Sequence, residues 1–378
     1  MFINRLAKKI LREKIQPGKV LLLYGPRRVG KTTILNEFAH DIESKKRVKF
    51  LNGENRIIQE GMSSQSAEKL NSFVGEVDFL IIDEAQQIPN IGLNLKLLID
   101  NRPDLSIIAS GSASFSLAQE VGEPLTGRKK TIILYPIAAR EIINTKDKLF
   151  YLENLENYLI YGAYPELFQI NDRQKQREYL SELTDAYLFR DILTLENVRN
   201  PKKIRDLLTL LAFQIGHEVS LTELSKSLSM SKNTVERYLD LLEKSFVIIN
   251  IRGFSRNLRK EVTKMSRYYF YDNGVRNAII NNFNELSLRD DVGALWENYL
   301  VMERMKKQAA DGLLSNNYFW RTYDQKEIDW VEDRGGKLYG YEFSWNEKTF
   351  SPPNDWVENY PAAECALITK NNFLNFIG

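Results

Sequence analysis

A single cysteine, Cys365, excludes an intramolecular disulfide framework, and two histidines, His40 and His217, leave little material for a zinc site. No apolar run goes beyond strand length, far short of the roughly 20 residues that a bilayer demands, so no membrane partner is expected. Met1-Phe2-Ile3-Asn4-Arg5 opens a basic amphipathic stretch without an apolar h-region, which argues for a solvent-facing helix over a signal peptide and for a cytoplasmic protein. An excess of one charge is missing too. The 52 Lys and Arg against 50 Asp and Glu leave +2, so any nucleic-acid contact must come from a local basic patch and not from a bulk field. What the chain does have is length and apolar content. Its 378 residues exceed what one core usually serves, and 43% hydrophobic with 27% charged residues is a soluble globular composition, so two or three domains are expected.

The most informative stretch is Gly25-Pro26-Arg27-Arg28-Val29-Gly30-Lys31-Thr32-Thr33. Two glycines with four residues between them, then Lys and a hydroxyl residue, have the spacing of a phosphate loop. A loop closing from strand to helix aims backbone N–H groups and a helix N-terminus at phosphates. Lys31 neutralises their charge, and Thr32 reaches Mg²⁺. The flanks agree: Val20 to Tyr24 is a short apolar run suited to a buried parallel strand, and Thr33 to Ala39 repeats apolar residues at helical spacing.

Phe79-Leu80-Ile81-Ile82 then runs into Asp83-Glu84. Alone this could be a core strand ending in a solvated turn. Downstream of a phosphate loop it reads as a Walker B strand, with Asp83 holding Mg²⁺ and Glu84 polarising the attacking water. Val48 to Leu51, Leu105 to Ala109 and Thr131 to Leu134 supply further apolar strands, with a helix over Ile91 to Ile99. Five strands with helices between them suffice for a doubly wound α/β core with a mostly parallel sheet. Ser110 and Ser112, at the tip of the strand after Walker B, are alternative sensors of the γ-phosphate or the lytic water, and a plain Ser-Gly-Ser turn is the competing reading. Arg128 is either an arginine acting on γ-phosphate charge, in its own or a neighbouring subunit, or a surface ion pair.

The phosphate loop, Asp83-Glu84-Ala85-Gln86, Gly111-Ser112, Thr126-Gly127-Arg128, Tyr161-Gly162-Ala163-Tyr164-Pro165-Glu166 and Arg190-Asp191-Ile192 occur in the order seen in a prokaryotic AAA-type P-loop ATPase family with a C-terminal domain of unknown function. The chain resembles that family over nearly its whole length, most strongly before residue 200. The resemblance implies binding and hydrolysis of ATP and leaves the biological role open.

After Glu141 the composition turns helical. Leu149 to Tyr161 and Tyr179 to Leu195 read as two long helices of a lid, with Arg190 and Asp191 either a nucleotide sensor or a helix-end ion pair. Helical apolar spacing from Ile204 to Ile215, a capping box at Ser220-Leu221-Thr222-Glu223, a helix capped by Ser231, and a strand at Phe246 to Ile249 together read as a winged helix-turn-helix. Its third helix offers Lys232, Asn233, Thr234 and Arg237 to DNA, with Arg252, Arg256, Arg259 and Lys260 in the wing. Such modules also bind proteins, so a protein client is the alternative partner. In the last third, Glu297 on a helix and Asp329 and Glu342 on strands resemble the metal-binding acids of PD-(D/E)XK nucleases. Ser344 stands where that pattern has its lysine, with Lys348 the nearest basic residue, and this implies an inactive nuclease-like domain.

The expected organisation is an AAA-type ATPase core over 1–145, a helical lid over 146–200, a winged helix-turn-helix over 201–262 and an α/β nuclease-like domain over 263–378. The expected function is Mg²⁺-dependent ATP binding and hydrolysis coupled to the C-terminal modules and associated with DNA. The alternative is a nucleotide-gated DNA-binding or protein-interaction switch with little turnover. Oligomerisation is compatible with either, a helicase would need a second RecA-like half that the chain lacks, and P-loop small-molecule kinases seldom carry such C-terminal modules.

Overall fold

The computed structural model describes residues 2–112, 125–186, 200–255, 266–322 and 324–378. They form two compact units: 3–137 together with 244–246, and 138–243 together with 247–378.

In the first unit five short strands, β1 (Val20–Tyr24), β2 (Val48–Asn52), β3 (Phe79–Asp83), β4 (Ser106–Gly111) and β5 (Lys129–Ile133), make one sheet in the order β2-β3-β4-β1-β5. Every pairing is parallel. The runs Val20 to Tyr24 and Leu80 to Asp83 are buried throughout, as expected of strands covered on both faces. Because β4 lies between β1 and β3, Leu23 pairs with Ser110 while Ile82 pairs with Ala109. The C-terminal tips of β1, β3 and β4 therefore end at one edge of the sheet, the edge at which open α/β sheets bind ligands. Helix Lys31–Glu43 leaves that edge from β1 and buries Ile34, Leu35 and Phe38.

The second unit is larger. The stretch expected as one helix over Leu149 to Tyr161 is two, Lys148–Glu153 and Leu155–Tyr161. Asn154 between them has a non-helical backbone, and its amide donates to the Phe150 carbonyl at 2.8 Å. A competing side-chain bond of this kind interrupts helices that apolar spacing alone would continue. The following long helix is described as Arg173–Ala186; Arg190 and Asp191 lie outside the described residues, as do Arg256, Arg259 and Lys260. These helices join the C-terminal region through asparagines. Asn273 and Asn277 donate to the Leu159 carbonyl at 3.3 Å, Asn277 also reaches the Ile160 carbonyl at 2.8 Å, and Asp272 accepts the Ala163 N–H at 2.7 Å. Arg276, fully buried, donates to the Ala212 carbonyl at 2.8 Å and pairs with Asp291 at 2.5 Å.

Helices Pro201–Phe213, Leu221–Ser227 and Lys232–Lys244 share a core of Leu207, Leu208, Leu211, Val235, Leu239 and Leu242. The hydroxyls of Ser220 and Ser231 accept the N–H groups of Glu223 and Thr234, so both expected caps are in place. The strands β6 (Ile248–Gly253) and β7 (Ser266–Phe270) that follow pair antiparallel and belong to a six-stranded mixed sheet with β8 (Asn316–Arg321), β9 (Glu327–Arg334), β10 (Lys337–Phe343) and β11 (Glu364–Ile368). Its order is β11-β10-β9-β8-β6-β7. The expected boundary at 262 thus falls between two strands of one sheet. No helix among the described residues is long and apolar enough to cross a membrane.

Candidate nucleotide-binding site

The phosphate loop begins where β1 ends. Gly25 has φ +154°, and a Cβ there would run into the Leu134 carbonyl that leaves β5, so only glycine lets the chain turn this close to its neighbour. Gly30, at φ +92°, enters helix Lys31–Glu43 from the left-handed region, and Arg28 is left-handed at φ 60°. Val29 is buried while Thr32 and Thr33 are exposed, so the loop closes over an apolar anchor with its hydroxyl residues turned outward. Lys31 is only 5% exposed, and its Nζ donates to the carbonyls of Gly25 at 3.0 Å and Pro26 at 2.9 Å. The ammonium is thus held against the start of the loop, beside the N-terminus of the helix it opens.

Asp83 sits at the tip of β3 beside it. One carboxylate oxygen accepts the Thr32 hydroxyl at 2.6 Å, and the other accepts the Ser110 hydroxyl. Thr32, Asp83 and Ser110 form an all-oxygen set, the donor chemistry that suits Mg²⁺. Ser110 accepts the Glu84 N–H at 3.2 Å, so the tip of β4 touches both acids of the motif, whereas Ser112 meets, among the described residues, the Gln86 amide at 3.5 Å. Glu84 turns out of the strand in a left-handed conformation, φ 50° and ψ 43°. The half-buried Glu84 carboxylate accepts a bond of 2.5 Å from the Gln86 Nε2, and the other amide atom of Gln86, Oε1, is buried with no hydrogen-bond partner among the described residues. Backbone strain of this kind gathers at functional sites.

Arg5 was not foreseen. It donates through Nη1 to the Val29 carbonyl at 2.9 Å and through Nη2 to the Tyr135 carbonyl at 2.6 Å, tying the phosphate loop to the chain leaving β5. The helix that follows it, Leu6–Lys14, pairs Lys8 with Asp41 at 2.8 Å, fixing the N-terminal segment to the helix that leaves the loop. No local signal marks Arg5, since its partners are 24 and 130 residues away. Gln86 stood inside a recognised motif, yet its role as the partner of Glu84 follows only from the turn.

Of the two readings of Arg128, the structure shows the ion pair and not contact with its own phosphate loop. It precedes β5, and its carbonyl accepts the Val20 N–H at the start of β1, whereas the phosphate loop follows the end of that strand at Tyr24. Four residues of strand, roughly 13 Å, separate the two edges. Arg128 pairs with Asp100 on the far edge and cannot reach a phosphate at its own loop.

The acids of the nuclease-like set are paired with cations. Arg267, at the head of β7, pairs with Glu297 at 3.5 Å, Asp329 at 3.4 Å and Glu327 at 2.6 Å. Glu342 is held by Lys348 at 3.1 Å. No group of three or more His, Cys, Asp or Glu among the described residues is arranged to hold a metal ion. Burial pushes the Glu297 and Asp329 carboxyls up, and burial with the neighbouring Asp329 raises Glu342 to about 7. The sign available in the sequence was a lone arginine heading an aromatic strand, Arg267-Tyr268-Tyr269-Phe270.

On helix Lys232–Lys244, Lys232, Asn233 and Arg237 are exposed; Thr234 is partly covered, and its hydroxyl bonds that of Ser231 at 2.7 Å. Exposed Glu236 and Asp240 share the helix, so its outer face is of mixed sign.

Residues 17–143 match the family described as "AAA domain". Residues 152–286 and 292–369 match two families described as "Domain of unknown function", DUF8612 and DUF4143. The chain is similar to a protein of Mycobacterium tuberculosis described as uncharacterized, with 28% identity over 88% of this chain and 71% of that one. It is also similar to one of Methanocaldococcus jannaschii so described, with 25% identity over 87% and 76%. Among solved structures, AMPPCP-bound DnaA from Aquifex aeolicus aligns over 64% of this chain and 89% of its own at 17% identity, with a TM-score of 0.33, too low to bear on function.

Proposed function

We propose that the chain is a Mg²⁺-dependent ATPase whose first unit binds and hydrolyses ATP. The observation that carries this is the Asp83 carboxylate, held between the hydroxyl of the phosphate-loop Thr32 and that of Ser110 at the adjoining strand tip. The match of residues 17–143 to AAA domains supports it.

In this reading the N–H groups of Arg27 to Thr33 cradle the phosphates, and Lys31 leaves its resting carbonyls to neutralise the β- and γ-phosphate charge. Thr32 and Asp83 would hold Mg²⁺, which supplies Lewis-acid neutralisation of phosphate charge when bound. Glu84, oriented by Gln86, takes the proton of the attacking water, and Ser110 keeps the Glu84 backbone in register with Asp83. The experiment is ATP turnover and ATP binding in Lys31→Ala and Glu84→Gln. Lys31→Ala should lose binding. Glu84→Gln should keep binding and lose turnover by about 10²–10⁴-fold, the usual worth of a general base. Full turnover in Glu84→Gln refutes its assignment.

The second unit is proposed to read a partner through a winged helix-turn-helix, with duplex DNA the reading favoured by exposed Lys232, Asn233 and Arg237 on the first two turns of one helix.

A further inference from the structure

Three acidic side chains from two elements converge at β7. Glu297 comes from helix Val292–Asp311, and Glu327 and Asp329 come from β9. At their meeting point lies the guanidinium of Arg267, a residue 2% exposed, with its plane 4.5 Å over the Phe319 ring. The acids are themselves fixed: Glu297 accepts the Tyr269 hydroxyl at 2.7 Å, and Asp329 accepts the Phe343 N–H at 2.9 Å. Glu297 and Asp329 are largely buried while Glu327 is 39% exposed, and acids packed this closely need a cation. Around a divalent ion the carboxylates would close to the 2.0–2.6 Å typical of oxygen ligands. Here Glu297 and Asp329 stand back at 3.5 and 3.4 Å while Glu327 closes to 2.6 Å on a planar five-donor fork, and the Nε of that fork is buried with no hydrogen-bond partner among the described residues. A fork that leaves one donor unmatched fills a space not shaped for it alone.

We propose that the Arg267 guanidinium is a tethered cation standing in for a divalent metal ion among Glu297, Glu327 and Asp329, which keeps this site closed to metals in the intact chain. A guanidinium carries half the charge of such an ion and no Lewis acidity, so the cluster holds the sheet and helix together without metal-assisted cleavage of a phosphodiester.

The test is Mn²⁺ binding to the full chain, read by loss of the free-ion electron paramagnetic resonance signal. It is made without nucleotide, in a Thr32→Ala, Asp83→Asn background that removes the other oxygen site. The background chain should bind no Mn²⁺. Adding Arg267→Met, which keeps most of the apolar stem over Phe319, should create one Mn²⁺ site per chain, and adding Asp329→Asn should abolish it. Binding by the background chain that Asp329→Asn removes overturns the proposal, as does a folded Arg267→Met chain that gains nothing. If Arg267→Met unfolds the second unit, recovery of its cooperative melt on adding Mn²⁺ supports the proposal, and failure to recover overturns it, since an ion able to replace the guanidinium would restore the fold.

Discussion

Replacing Arg5 with alanine removes two charge-assisted bonds that pin the phosphate loop from outside, at 2.9 Å to Val29 and 2.6 Å to Tyr135. Bonds to charged donors contribute about 1.5–3 kcal/mol each, and a half-buried guanidinium lies at the low end, so the pair amounts to about 3 kcal/mol. That loss divides between unfolding of the first unit and local loosening of the loop that must be recovered when phosphates bind. If half of it falls on the loop, ATP affinity drops about tenfold, since 1.4 kcal/mol is one decade. Arg5→Lys, with a single point of charge, can satisfy only one carbonyl and should lie between the two. The assay is titration with a fluorescent ATP analogue beside amide exchange of residues 25–33, comparing native chain, Arg5→Ala and Arg5→Lys. Weaker binding with faster exchange in the loop is expected. Native affinity in Arg5→Ala, with only a lower melting temperature, would show that the bonds brace the unit and do not shape the site.

Ser110→Ala should keep ATP affinity within a few-fold while turnover falls about 10–100-fold, the cost of freeing one oxygen of Asp83 and the Glu84 N–H, and unchanged turnover would remove Ser110 from the site. Asp272 is raised from its ordinary 3.8 to about 6 by burial, against the pull of the Ala163, Val275 and Gly274 N–H groups. Because its folded pKa lies above its unfolded one, its contribution to stability is fully present below about pH 4 and is lost as pH rises through 6, at most about 3 kcal/mol in all. Subtracting the denaturation curves of Asp272→Asn from those of the native chain should isolate that slope, and a flat difference would contradict the burial argument. For the helix Lys232–Lys244, DNA affinity should fall steeply with salt. Lys232→Ala with Arg237→Ala should reduce the slope by about one unit for each phosphate that is no longer neutralised, whereas equal binding by native and double variant would assign the helix to a protein partner.

The nucleotide site was legible because its parts are contiguous. Nine residues carry the loop, two carry the acids, and the apolar runs before them can only be buried strands. Even so, the sequence left Ser110 and Ser112 as equals, and it took the Leu23–Ser110 and Ile82–Ala109 pairings to bring one of them onto Asp83. Arg128 stays open in sequence between phosphate and ion pair for the same reason, because a residue beside a strand can stand at either edge of the sheet. Arg5 and Arg267 act across 130 and 62 residues, and no periodicity reports on such pairings. The break at Asn154 was missed because apolar spacing is blind to a side-chain amide that caps the preceding turn.

The placement of β6 bears on how the chain can be cut. It is hydrogen-bonded on one side to β7, from Ile248–Phe270 to Arg252–Ser266, and on the other to β8 at Arg252–Tyr318 and Gly253–Phe319. A fragment ended after residue 262 would retain all three helices and their apolar core yet strip both neighbours from this strand, baring two rows of unpaired N–H and C=O groups. Such an edge is a template for association with other chains, and the aromatic strand that normally covers it would be gone. An isolated 201–262 piece would therefore self-associate for a reason unrelated to any partner, whereas one carried through β11 keeps the whole sheet and both neighbours of β6.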